Sequence, residues 1–344
     1  MTDTILGWDV GGANVKVARI SDRSHAPSIV EQPFPLWREF DRLPAVLASL
    51  AGPADPAAPM AVTMTGELAD CFVTKREGVR FIVGAFERAF PASPLFVYGV
   101  DGRFHTAAQV RLRPHEVAAA NWMATATLVA RATPDALLID VGSTTADIIP
   151  IVGGRVAAQG VTDTARLRFG ELVYTGCLRT PVSAIVRSVP LNDGRCRVAS
   201  ELFAIAADVY RWLGPIAEAD YTCDTPDGRS RSAADAGARL ARMVCADREL
   251  LTAADVTAIA DHVARTQTRQ IAHAIRQVTR RLGSGRPSIA VVAGSGAFLA
   301  RAAAETTGLA TRDLTDQLGS DVARAAPAAA VAWLLSELMM TSSG

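Results

Sequence analysis

Ile139-Asp140-Val141-Gly142-Ser143-Thr144-Thr145-Ala146-Asp147 is the stretch whose reading decides the fold of this chain. It follows Ala136-Leu137-Leu138 and runs into Ile148-Ile149-Pro150-Ile151. An apolar run of this length, rich in branched residues, reads as a buried strand. Strand, tight turn and strand in succession make a β-hairpin signature. This turn carries two carboxylates, Asp140 and Asp147, around Ser143, Thr144 and Thr145. Gly142 lets the backbone approach a ligand closely, and N–H and hydroxyl groups beside it can cradle a phosphate. A neighbouring carboxylate can hold a magnesium ion that neutralises that phosphate. A solvated hairpin tip uses the same residue types, so this stretch alone leaves both readings open.

Repetition favours the phosphate reading. Near the start stands Thr4-Ile5-Leu6-Gly7-Trp8-Asp9-Val10-Gly11-Gly12-Ala13-Asn14-Val15-Lys16-Val17. Again an apolar strand reaches an aspartate, a glycine turn and polar residues, and an alternating strand follows. Asp9-Val10-Gly11-Gly12 and Asp140-Val141-Gly142-Ser143 therefore read as equivalent hairpins, one in each half of the chain, able to hold a phosphate chain. Lys16 follows the first turn and can reach a phosphate as a point charge; an exposed strand lysine is the plain alternative. A third apolar strand, Ser288 to Ala293, ends in Gly294-Ser295-Gly296 before a helix of small residues. Strand, glycine pair and helix start suit a nucleotide base, sugar or phosphate.

The 344 residues allow two domains with large cores. At 49% hydrophobic and 20% charged, the chain is globular. Its 35 basic and 35 acidic residues balance, which argues against nucleic acid as the main partner. No unbroken apolar run is long enough for a membrane span. Five cysteines without a C-x-x-C pair speak against a zinc site or a disulfide framework, and point to a reducing cytoplasm. The first residues lack a basic region followed by an apolar core, so no signal peptide is expected there.

Helical spacing covers Arg38 to Leu50, Arg80 to Phe90, His115 to Arg131, Glu201 to Trp212, Ala233 to Val244 and Ala253 to Leu282. A loop is expected over Ala51 to Pro56. The strand Met60 to Thr65 ends at Gly66-Glu67-Leu68-Ala69-Asp70, where ligands of α/β sheets tend to lie. Glu67 and Asp70 are candidates there, with helix-start acids as the alternative. Thr133-Pro134-Asp135 marks a boundary: an N-terminal domain over 1–132 and a C-terminal one over 133–324, with a helical insertion at about 196–282. The closing segment 325–344 is available to pack on the first domain. Arg166 to Pro181 gathers Arg166, Arg168, Glu171, Tyr174 and Arg179 around a glycine turn. Arginines presented together grip a diphosphate or carboxylate bidentately. Asp208 and Tyr210 are candidate wall residues.

Three motifs in this order resemble the superfamily of sugar and acetate kinases, heat-shock chaperones and actin: Asp9 to Gly12, Asp140 to Thr145, and Ala293 to Gly296. The resemblance implies an α/β architecture: a two-domain actin-like or sugar-kinase-like (ribonuclease H-like) fold, with mixed sheets flanked by helices. An interdomain cleft would take a nucleotide, ATP or ADP, with Mg2+ on Asp9 or Asp140. Within it the chain resembles hydantoinase A/oxoprolinase-related proteins, in particular the tetrahydromethanopterin-linked C1 transfer pathway group. Gly7 to Lys16, Thr63 to Asp70, Tyr174-Thr175-Gly176 with Arg179-Thr180-Pro181, and Glu201 to Ala204 with Ala207 to Tyr210 carry that resemblance. It implies a transferase of methanofuran or methylofuran biosynthesis. Such an enzyme joins an aminomethyl-furan-methyl diphosphate to the phenol of a tyramine or tyrosine acceptor and releases diphosphate. Its partners would be those two small molecules, with no nucleic acid and no membrane; a homo-oligomer stays open. Asp147 or Glu67 would take the phenol proton. Two other readings are an ATP-dependent kinase or ATPase of the hydantoinase/oxoprolinase type, and a non-catalytic nucleotide-binding protein. Ser143 stands where many kinases carry a second glycine, which weakens the kinase reading.

Overall fold

The computed structural model of the chain describes residues 4–21, 26–53 and 57–341. Ala54, Asp55 and Pro56 of the expected loop, and the first three residues, lie outside them. Two compact units result. The first takes the chain up to Asp135, then Ile151–Ala165 and the segment from Leu314 onward; the second takes Ala136–Pro150 and Arg166–Asp313.

The sheet of the first unit uses β1 (Ile5–Val10), β2 (Asn14–Ile20), β3 (Ser28–Pro33), β4 (Met60–Met64), β5 (Leu95–Tyr98) and β6 (Phe104–Thr106), in the order β3-β2-β1-β4-β5-β6. β1, β2 and β3 pair antiparallel, whereas β1, β4 and β5 run parallel. In the second unit come β7 (Ala136–Val141), most of β8 (Ala146–Val152), β10 (Leu172–Val173), the hairpin β11 (Ser188–Leu191) and β12 (Gly194–Arg197), β13 (Ile289–Ala293) and β14 (Ala310–Asp313), while β9 (Arg155–Val156), paired with the last residues of β8, falls in the stretch Ile151–Ala165 of the first. Its sheet runs β10-β8-β7-β13-β14, with β7, β13 and β14 parallel. Leaving out the edge strand β6 of the first sheet and β9, which pairs only with β8, both sheets read 3-2-1-4-5 and begin with a hairpin. The repetition seen in the motifs is therefore a repetition of topology, and the expected mixed sheets flanked by helices are present.

Period-two alternation decides how β1 is covered. Leu6, Trp8 and Val10 point into a core with Val62, Met64, Val79 and Phe86. Trp8 meets Phe86 edge-on at 5.5 Å. The opposite face, with Ile5, Gly7 and Asp9, receives the alanine-rich helix Ala326–Thr341. A Cβ at Gly7 would stand 2.1 Å from the Ala328 carbonyl oxygen and 2.7 Å from the Ala332 Cβ. The helix lies this close because both partners are small. In the second unit the helix Ala253–Arg281 opens on a capping box of Thr252 and Asp255. It then buries Ile259, Val263, Gln267, Ile271 and Ile275 at helical spacing.

Several helix limits differ from the sequence expectation, for local reasons. Arg38 to Leu50 is interrupted: Phe40–Arg42 is a 3-10 turn and a new helix starts at Leu43. Pro44 lacks an N–H and crowds the carbonyl four residues back, so it fits only a first turn. The expected helix at Arg80 begins at Lys75, because the Thr74 hydroxyl accepts from the Glu77 N–H. The helix expected from Glu201 begins at Ala206, where the Asp208 carboxylate accepts from the Ile205 N–H. The helix expected over His115 to Arg131 begins only at Asn121 and ends at Ala132. Among the described residues no helix is long and apolar enough to cross a membrane.

Candidate functional site

In the first unit the turn after β1 closes with the Gly11 N–H donating to the Asn14 carbonyl at 2.9 Å. The Gly12 and Ala13 carbonyls accept from Leu36 and Phe34. The N–H groups of Gly12 and Ala13 meet no protein acceptor among the described residues. A Cβ at Gly12 would have nothing within 4 Å. A turn with unspent N–H donors opening on free space is an anion cradle. Asp9 stands beside it. Its Oδ1 is buried without a partner. Burial pushes its carboxyl up to about 6, against the pull of Lys16 directly opposite on β2 and with help from Glu31. Thr63 lies in register with Asp9 on β4, and its buried Oγ1 is also unpartnered. Lys16 itself donates to the Arg324 carbonyl at 2.7 Å and lies 3.5 Å from Glu31.

Where β4 ends, the chain turns against the same loop. Thr65 donates its N–H to the Val10 carbonyl at 3.0 Å, and a Cβ at Gly66 would stand 3.1 Å from the Gly11 carbonyl oxygen. Glu67 follows, only 1% exposed. The N-terminal turn of the helix Lys75–Ala89 presses on its backbone so tightly that a Cβ at Gly78 would lie 2.2 Å from the Glu67 carbonyl oxygen. The Glu67 carboxylate accepts from its own N–H and from that of Ala119, a residue held at φ 50°. Such a conformation is uncommon for a residue with a Cβ. Oε2 remains buried without a partner. Lys75 Nζ is 3.9 Å from Oε1, but lies at 2.5 Å from Asp163 Oδ2. Burial outweighs the lysine and pushes Glu67 up to about 7. A buried oxygen without a hydrogen bond costs about 1–3 kcal/mol. Three such oxygens, on Asp9, Thr63 and Glu67, carry that cost here, and a ligand bonding them would relieve it.

The second unit repeats the first turn. Gly142 donates to the Thr145 carbonyl at 2.9 Å, as Gly11 does to Asn14. Gly296 donates to the Val141 carbonyl at 2.8 Å, the counterpart of the Thr65 to Val10 bond. Asp140 and Asp147 occupy the positions of Asp9 and Lys16. The N–H groups of Ser143, Thr144 and Thr145 have no protein acceptor among the described residues. This turn is braced from behind. Cys177 donates to the Gly142 carbonyl, and Leu178 and Arg179 both donate to that of Ser143. A Cβ at Gly176 would lie 2.4 Å from the Thr144 nitrogen. Gly294, at φ 85°, lies against Asp140; a Cβ there would be 2.3 Å from Asp140 Oδ1. Ser295 Oγ is 3.3 Å from Cys177 Sγ, a thiol that burial pushes up to about 11.

The arginine-rich run disperses. Arg179 is exposed and is tied through its backbone to the turn. Tyr174, 64% exposed, lies two residues from Gly176. Arg168 is exposed beside the Phe169 ring. Glu171 is fully buried and ion-paired with Arg281. Arg166, also buried, donates to Asp147 Oδ1 at 2.6 Å. Asp208 is 0% exposed, bonded to Arg239 at 2.8 Å, to the Tyr221 hydroxyl at 2.9 Å and to the Ile205 N–H. That network ties the loop before Ala233 to the core.

Lys75, Asp163, Thr63, Ala119 and Gln267 were not among the sequence candidates. Gln267 donates to Thr175 and to the Gly176 carbonyl at 2.8 Å, and accepts from Tyr210 at 2.8 Å. It left a signal: a glutamine in the apolar stripe Val263, Ile271, Ile275. Lys75 left one too, as one of two lysines and the first residue after a Thr74-x-x-Glu77 cap.

The model of the hydantoinase/oxoprolinase family matches residues 60–337. The chain belongs to this family. Within it the chain is similar to a (4-{4-[2-(gamma-L-glutamylamino)ethyl]phenoxymethyl}furan-2-yl)methanamine synthase of Methanocaldococcus jannaschii. The two are 36% identical over 334 residues, 97% of this chain and 98% of the relative. A protein of the same name from Methanococcus vannielii is 38% identical over 147 residues, 43% of this chain and 66% of its own. Among solved structures, nucleotide-free acetone carboxylase aligns over 90% of this chain and 68% of its own, with TM-score 0.56 and 10% identity; this likeness concerns the fold. Both curated relatives are synthases by name, and a chain so similar to one along nearly its whole length is an enzyme.

Proposed function

We propose that this family member forms an aryl ether in the biosynthesis of a methanofuran-type cofactor. It would join an aminomethyl-furan-methyl diphosphate to the phenol of a γ-glutamyl-tyramine or tyrosine-type acceptor. The name of the relative's product describes such a link, a phenoxymethyl bridge to a furan with a γ-glutamylamino arm on the phenol side. Building it requires three things: a base for the phenol, a leaving group on the furan methylene, and donors for the departing charge.

The observation that carries this reading is Glu67. A carboxyl raised to about 7, buried beside a glycine turn at a strand's carboxyl end, is matched to proton abstraction near neutral pH. Asp147, the other candidate base, has Oδ1 committed to Arg166. In the proposed step Glu67 takes the phenol proton and the phenol oxygen bonds to the furan methylene carbon. The bond from that carbon to the diphosphate oxygen breaks, and its electron pair leaves with diphosphate. The furan oxygen lone pair supports positive charge developing at the methylene. The unspent N–H groups at Gly12 and Ala13, in the same unit as Glu67, are assigned to the phosphate oxygens.

The donor set fits magnesium. The unpartnered Asp9 Oδ1 and Thr63 Oγ1 are hard oxygen donors lying in register, with Asp140 in the equivalent place of the second unit. Among the described residues no group of three or more His, Cys, Asp or Glu forms a metal cage. Magnesium bound through one or two carboxylates plus phosphate needs none. When bound it would neutralise charge on the diphosphate.

The test is incubation with the furan diphosphate, γ-glutamyl-tyramine and magnesium, without ATP. Diphosphate release matched by an ether product in mass spectrometry supports the reading. ATP hydrolysis with no ether product would replace it by the kinase or ATPase reading.

A further inference from the structure

Lys75 offers one ammonium to two carboxylates, and its choice bears on Glu67. Nζ is within hydrogen-bond range of Asp163 Oδ2, at 2.5 Å, and outside it for Glu67 Oε1, at 3.9 Å. Glu67 Oε2 is buried with no partner. A lysine stem is flexible enough to cover the missing ångström or so. The ammonium stays with Asp163, whose side chain is 26% exposed against 1% for Glu67, so ionising Asp163 costs less solvation. We propose that Asp163 is a positioning residue that holds Lys75 off Glu67 and so keeps Glu67 a strong enough base for a phenol. This inference rests on the reading of Glu67 as the base.

The groups facing Glu67 are few: Lys75, which lowers its proton affinity, Asp163, which raises it, and the N–H groups of Glu67 and Ala119. Removing the charge of Asp163 therefore acts twice in the same direction. It withdraws a repelling carboxylate, and it releases Lys75 to bond Glu67 directly.

The experiment reads the Glu67 carboxyl itself. The full chain is labelled with glutamate carrying carbon-13 at the side-chain carboxyl, and the signal lost in Glu67→Gln assigns it. Its titration is then followed in wild type, Asp163→Asn and Lys75→Met. In Asp163→Asn the midpoint is expected to fall by about one pH unit, the scale of a new direct ion pair. In Lys75→Met it is expected to rise. The acid limb of the kcat/KM–pH profile should follow the midpoint downward in Asp163→Asn. Activity then gains below pH 6.5 and falls about threefold above pH 8, where a weaker base is fully ionised. A uniform loss at every pH would be the mark of a merely structural residue. A Glu67 midpoint unmoved in both variants overturns the positioning role. A midpoint that moves while the rate profile stays fixed upholds the restraint on Lys75 but removes Glu67 as the base.

Discussion

Replacing Glu67 by glutamine should make the protein more stable at pH 8 while slowing turnover by orders of magnitude. The carboxyl moves from an ordinary 4.5 to about 7 in the folded chain, because burial disfavours its charged form. Between those values the folded state holds a proton that the unfolded chain has released. Stability therefore falls as pH rises from about 4.5 to about 7, and the loss is complete above that range. Roughly two and a half pH units at about 1.4 kcal/mol each give a cost of about 3.5 kcal/mol, an upper figure. The glutamine keeps the shape but adds an amide donor needing its own acceptor, which takes back about 1 kcal/mol. A net gain of about 1–3 kcal/mol at pH 8 remains, shrinking toward zero near pH 5. Urea unfolding of wild type and variant at pH 5.5 and pH 8 measures it as a difference in midpoint at equal slope. The ether-forming rate should fall by about 10²–10⁴, the usual contribution of a general base. A variant less stable than wild type at pH 8, or a gap independent of pH, would refute the reasoning, since the native carboxylate would then be well solvated or well paired.

Four further substitutions probe the rest. Asp9→Asn removes a buried carboxylate raised to about 6, so it should raise stability above pH 6; calorimetric titration should show diphosphate affinity in magnesium falling about tenfold or more. Gly176→Ala drives a methyl into the backbone of Ser143 and Thr144; unfolding should show a loss of about 1–3 kcal/mol, with weaker diphosphate binding, and a silent change would mean the loop does not brace the turn. Arg179→Ala should weaken diphosphate binding about tenfold without shifting the unfolding midpoint, as expected for an exposed side chain. Arg239→Met leaves Asp208 buried beside an apolar neighbour, and the unfolding free energy should drop by about 3–5 kcal/mol with no specific effect on affinity.

What the sequence revealed of the two turns and of the residues around Glu67 follows from what local chemistry encodes. Asp9, Gly11, Asp140 and Gly142 were legible because strand, acid and glycine turn are contiguous, and because the pattern occurs twice. Glu67 was legible from its place after β4. Its partners were not, because Lys75, Asp163 and Ala119 come from three separate segments, and no spacing rule joins residues 67, 119 and 163. The run from Arg166 to Arg179 misled for the complementary reason. Contiguity suggested one cluster, but a helix, the positive-φ Gly170 and a short strand turn successive side chains to different surroundings. Arg166 and Glu171 go into the core and Arg179 comes out beside the turn. Asp208 looked like a wall residue on an amphipathic helix; that the apolar face would also bury an arginine and a tyrosine to satisfy it depends on tertiary packing alone.

The duplicated turns share a backbone but differ in charge, and that difference argues for distinct roles. Opposite Asp9 the equivalent place on the second strand holds Lys16; in the second unit it holds Asp147, which accepts from Arg166. Lys16 is itself drawn away to the Arg324 carbonyl and Glu31. Asp9 is left with an unpartnered oxygen and a proton affinity raised by burial, the state of a carboxylate awaiting a cation. Around the second turn, Arg166 neutralises Asp147, and Gln267 with Thr180 fixes the loop behind Gly142 to Thr145. Its N–H donors are thereby held in one geometry whether or not an anion is bound, which is the preorganisation that electrostatic stabilisation requires. On this argument the first turn is the one that responds to metal and pH, and the second presents a fixed set of donors. Titrating diphosphate affinity against pH separates them. In wild type the affinity should strengthen as pH rises through about 6, with Asp9. The part of that dependence beyond diphosphate's own titration should be lost in Asp9→Asn, and a profile left unchanged by that substitution would remove Asp9 from the response.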